Sequence, residues 1–97
     1  MKLKIVREKI ENNVLHLALY GEMTVYSAAK LKDILTKELK SCSGMTMDLA
    51  EVDEADTSGF QLLLFLKREA MLLGKTFRVI KLSPRLRSIF NLYKEII

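Results

Sequence analysis

One apolar stretch is too long to be a strand. Phe60-Gln61-Leu62-Leu63-Leu64-Phe65-Leu66 continues through Lys67-Arg68-Glu69-Ala70-Met71-Leu72-Leu73 and stops at Gly74. Strands rarely pass about ten residues, so the run reads as a helix, and Gly74 can supply the left-handed residue that ends one. Its apolar residues cover more of the circumference than a single core stripe needs. Such a helix packs against a sheet and against neighbouring helices, and any part of Leu62 to Leu66 left uncovered would be a docking patch.

The rest of the chain supplies those neighbours. Leu3 and Ile5 begin a first strand, Glu11-Asn12-Asn13 forms a turn, and Val14, Leu15, Leu17 and Leu19 mark a second strand that closes a hairpin and ends at Gly21. Thr24 can cap a helix whose stripe is Val25, Ala28, Leu31, Leu35 and Leu39, spaced by threes and fours. After a turn over 41–44, Met45-Thr46-Met47-Asp48-Leu49 alternates at period two, and Glu51 to Ala55 reads as a loop. Thr76 to Leu82 is the last strand. Ser83-Pro84 opens a final helix with Leu86, Ile89, Phe90 and Tyr93 on its inner side. The order predicts an α/β fold: one domain over 1–97, with a mixed sheet of about four strands and three or more helices, the strand–helix–strand links being right-handed crossovers.

Composition narrows the function classes. An apolar fraction of 49% with 29% charged residues is ordinary for a globular chain. The formal charge of +4 is scattered from Lys2 to Lys94 with acids nearby, and no stacking-aromatic module accompanies Arg78, Lys81, Arg85 and Arg87, so no nucleic-acid partner is expected. Cys42 has no disulfide partner, which points to a reducing cytoplasm. No stretch approaches the ~20 apolar residues of a membrane span, so no membrane insertion is expected. His16, the sole histidine, reads as a structural strand residue, and neither a metal nor a cofactor is expected. Ser58, His16 and Asp56 could be drawn as a hydrolytic triad. The G-x-S-x-G elbow is missing, however, with Asp56 in its first position, and no nucleotide-binding glycine pattern occurs. The chain reads as a non-enzyme.

What remains is Asp56-Thr57-Ser58-Gly59 at the entry to the apolar helix. Backbone N–H groups there lack internal partners and carry the positive end of the helix dipole, so the position suits a phosphate or a carboxylate. Gly59 leaves room beside the hydroxyls for a partner's approach. Ser58 followed by Gln61 also fits a capping box, a role compatible with a hydroxyl that a kinase can reach.

Asp48-Leu49-Ala50, Val52 and Asp56-Thr57-Ser58-Gly59 before an apolar helix resemble the signature of STAS domains, the family of bacterial anti-sigma-factor antagonists. Leu19-Tyr20-Gly21-Glu22-Met23 and Gly74-Lys75-Thr76-Phe77-Arg78-Val79 resemble the family's second-strand ending and last-strand entry. The resemblance implies a signalling module in transcription regulation, with Ser58 as phosphoacceptor and Thr57 as a secondary one. It implies a partner surface at Asp56, Thr57, Ser58, Gly59 and Gln61, engaged by a kinase-like anti-sigma factor, in a monomer or weak dimer. Glu54 stands where classical members carry a large apolar residue, and Gln61 where a small one is frequent. Gly21-Glu22-Met23-Thr24 with the run from Asp56 to Leu63 is similar to stand-alone STAS proteins encoded near chemotaxis or transporter components. That similarity implies an alternative: an interaction subunit of a chemotaxis assembly or an ABC-type transporter, without a phospho-switch.

Overall fold

A computed structural model describes residues 3–92. The order is β1 (Leu3–Glu11), β2 (Val14–Met23), α1 (Val25–Lys40), β3 (Gly44–Ala55), α2 (Thr57–Leu72), β4 (Thr76–Leu82) and α3 (Pro84–Leu92). The sheet runs β1-β2-β3-β4, with β1 antiparallel to β2 and the β2/β3 and β3/β4 pairs parallel. The mixed four-stranded sheet and its helices agree with the α/β reading.

Local chemistry explains the boundaries. Asn12 and Asn13 both adopt positive φ, 54° and 62°, the requirement of a tight two-residue hairpin turn that asparagine tolerates. At the end of α2, Gly74 takes φ +70°. Its N–H donates to Met71 O at 3.1 Å while Lys75 N–H donates to Ala70 O at 2.8 Å, the paired bonds of a Schellman ending. Ser83 Oγ accepts from Leu86 N–H at 3.2 Å and so caps α3. Tyr93, read as part of that helix's stripe, lies outside the described residues.

The helices cover one face of the sheet. Leu15, Leu17, Leu19, Met45, Met47, Leu49 and Val52 are buried on it, against Leu31, Leu35 and Leu39 of α1 and Leu62, Leu63 and Leu66 of α2. Each such leucine contributes about 1.5–3 kcal/mol by leaving water. The run from Phe60 is absorbed as its breadth requires. Leu62, Leu63 and Leu66 are buried, Leu64 and Phe65 half-buried, and Phe60 meets Phe90 of α3 edge-on at 5.2 Å. The exposed apolar residues of α2 lie at its other end, Met71 and Leu72. No described helix covers the opposite sheet face, and there half-buried His16 sets Nδ1 2.5 Å from Thr46 Oγ1.

Three readings are corrected. Glu51 to Ala55 is not a loop: β3 continues to Ala55, paired with β2 through Tyr20↔Glu51 and Met23↔Ala55. Acidic Glu51, Asp53 and Glu54 lower strand propensity, but buried Val52 and Ala55 and the backbone ladder to β2 override it. Correspondingly, Gly21 ends only the β1–β2 pairing, while β2 itself runs on to Met23 beside β3. Val25 is not in the inner stripe of α1. The buried set is Ser27, Leu31, Leu35 and Leu39, and at 100° per residue Val25 sits about 100° from its middle.

Candidate functional site

Parallel strands release their chains at the same edge, so β2 and β3 end side by side at Met23 and Ala55 and the helices that follow start there together. Thr24 caps α1 in a capping box: Thr24 Oγ1 accepts from Tyr26 N–H at 3.3 Å, and Ser27 Oγ accepts from Thr24 N–H at 3.0 Å. Asp56 caps α2, with Oδ1 accepting from Ser58 N–H at 2.8 Å. The other oxygen, Oδ2, accepts from Val25 N–H at 3.0 Å. One carboxylate thus ties the first turns of two helices and lies at the positive ends of both dipoles. Asp56→Ala should cost about 1–2 kcal/mol, because a cap and a second acceptor go together. Urea unfolding measures it, and Asp56→Asn should recover part of the loss.

Asp56 replaces Ser58 as the cap expected from Ser58 and Gln61. The longer β3 brings the extended backbone of a cap, φ −135° and ψ −172°, to Asp56 and leaves Ser58 inside the first turn. The capping box of this edge belongs to α1. Released from that duty, Ser58 Oγ makes no hydrogen bond to any described residue. Ser58 is half-buried and opens on a groove between α1 and α2 lined by Ala28, Ala29, Lys32, Gln61, Leu62 and Phe65. Thr57 and Gln61 are exposed beside it.

Gly59 serves the interior, not a visitor. It is buried, and a Cβ there would stand 2.6 Å from Met23 O and 3.0 Å from Met23 Cβ. The space left by the missing side chain is filled by β2.

Sequence reasoning missed two neighbours. Tyr26 is 91% exposed in the first turn of α1, next to the Asp56 clamp, and an aromatic two residues after a capping threonine was the available signal. Lys32 sets its ammonium 4.2 Å from the Phe65 ring centre, a cation–π contact that joins two helices and carries no local signature. His16 does not join Ser58. It lies seven strand positions before Met23, about 20 Å along β2, so no triad forms.

The family model described as the Mlab STAS domain matches residues 6–94. The chain belongs to the STAS family. Solved structures of similar fold include an anti-sigma-factor antagonist from Mycobacterium paratuberculosis. It is 19% identical with a TM-score of 0.80, covering 97% of this chain and 80% of that one. SpoIIAA of Bacillus is 16% identical in both its unphosphorylated and phosphorylated forms. Their TM-scores are 0.77 and 0.73, with 96% and 95% of this chain and 81% and 83% of theirs covered. A sulfate transporter family protein from Wolinella succinogenes is 18% identical with a TM-score of 0.67, covering 92% and 73%. No curated protein matches the sequence. Among the described residues of this STAS domain, no helix is long and apolar enough to cross a membrane.

Proposed function

We propose that this STAS domain is a non-enzymatic signalling module that spans 1–97 and works in the cytoplasm. It binds a kinase-like anti-sigma factor and is switched by phosphorylation of Ser58. The observation that carries the reading is the hydroxyl of Ser58, held in the first turn of α2 by the Asp56 cap and used by no bond within the described fold. Asp56, Thr57, Ser58 and Gln61 form the partner surface, with Gly59 contributing backbone only and Thr57 a second acceptor. A phosphate adds about −1.5 to −2 charge at pH 7. The amino end of a helix can hold it without unfolding the domain, so the switch acts on the interface. That SpoIIAA, of like fold, has been solved in both phosphorylation states supports the reading.

Incubation with the cognate serine kinase and ATP should place one phosphate on Ser58, read by mass spectrometry of the digested protein. A Ser58→Ala protein modified to the same extent would refute the assignment.

The match to the Mlab STAS model and the likeness to a sulfate transporter family protein favour a second reading. In it, the same surface joins a transporter assembly, or a chemotaxis one, without phosphorylation. Ser58→Asp separates the two: it should abolish capture of the partner under the first and leave it intact under the second.

A further inference from the structure

We propose that the groove between α1 and α2 seats an acidic amphipathic helix of the partner, with a carboxylate of that helix placed on Lys32. The inference rests on the reading that the Ser58 end of α2 faces a protein, and it names that protein's chemistry.

The floor of the groove is apolar, formed by Ala28, Leu62 and Phe65, and Ala29 keeps one wall low. Two helices side by side leave a channel into which the ridge of a third can pack, the helix-in-groove mode of recognition. Lys32 stands over that floor. Its ammonium is held on the Phe65 face at 4.2 Å, and it belongs to no ion pair among the described residues. A cation pre-positioned over an apolar channel and lacking a carboxylate of its own selects an acidic occupant by charge complementarity. The placement also gives the switch a cause. Ser58 lines the same groove, so a phosphate there would neutralise Lys32 and repel the carboxylate it was holding.

Two synthetic helical peptides test this on isotope-labelled, unphosphorylated protein: one with a leucine face flanked by glutamates, the other with every glutamate changed to lysine. At low ionic strength the glutamate peptide should bind about five- to tenfold more tightly, a margin that shrinks in 0.5 M salt. Its amide shifts should centre on Ala28, Ala29, Lys32, Ser58 and Gln61. Lys32→Glu should reverse the preference, and Lys32→Arg should keep it. Equal binding of the two peptides, an unchanged preference in Lys32→Glu, or shifts centred on the sheet face opposite the helices would overturn the proposal. The two ideas fail differently. A Ser58 that no kinase modifies, in a protein that still prefers the glutamate peptide, sinks only the phospho-switch. A Ser58 that is modified, with peptides bound alike, sinks only the acidic helix.

Discussion

Replacing Leu66 by alanine is expected to lower the unfolding free energy by about 2–5 kcal/mol, the range for a leucine truncated in a packed core. Leu66 is fully buried, in the cluster that joins α2 to α1 and to the sheet, so truncation loses its transfer free energy and leaves a cavity that the surroundings close only in part. Domains of this size hold about 5–15 kcal/mol in all, and each kcal/mol corresponds to roughly 4–8 °C in Tm. A drop of 10 °C or more should appear by calorimetry. Leu72→Ala, six residues later on the same helix but 75% exposed, should move Tm by little. Comparable losses at the two positions would mean that α2 is rotated from the orientation described.

Gly59→Ala should destabilise the domain by up to about 2 kcal/mol, although alanine is intrinsically the better helix former by about 1 kcal/mol. The sign is decided by Met23. An added Cβ would lie 2.6 Å from a backbone carbonyl and 3.0 Å from Met23 Cβ, and neither can rotate away. Relief requires α2 to withdraw from the end of β2, at an overpacking cost of about 1–3 kcal/mol. That movement would also pull Asp56 from Val25 N–H, the bond that ties the two helix starts. Ser58→Ala, next in sequence, should stay within about 0.5 kcal/mol, since its hydroxyl has no bond among the described residues to lose. Chemical unfolding of both variants makes the comparison. A stabilised Gly59→Ala protein would show that the first turn of α2 does not press on β2, and the placement of Ser58 would fall with it.

That contrast bears on function. If Ser58 contributes nothing to stability while Asp56 and Gly59 do, a covalent change at its oxygen can alter binding without altering the fold. Asp56 fixes the backbone that carries the serine, and Gly59 fixes how closely that backbone sits on the sheet. Both therefore position Ser58 at the amino end of α2, whatever the hydroxyl goes on to meet.

Local chemistry was enough to read most elements. Asn12-Asn13 dictated a hairpin because asparagine accepts positive φ, and Gly74 dictated the end of α2 for the same reason. Thr24 marked the start of α1. The alternation of Met45, Met47 and Leu49 gave β3 its buried face because successive side chains of a strand point to opposite sides. Where two local signals competed, the outcome depended on partners distant in sequence. Glu51, Asp53 and Glu54 resemble a solvated loop until β2 lies alongside and takes up their backbone. Once the strand reaches Ala55, the helix cap moves to Asp56.

The order of residues sets the repertoire: a hairpin, alternating helices and strands, and a hydroxyl-bearing segment at the mouth of the most apolar helix. Each of these depends on torsional preference or periodicity within a few residues. Packing of distant segments makes Asp56 bind Val25, 31 positions away, makes Met23 fill the space above Gly59, and rests Lys32 on Phe65 beside Ser58. Those contacts exist because parallel strands bring the starts of successive helices to one edge of the sheet, a convergence that no window of neighbouring residues encodes.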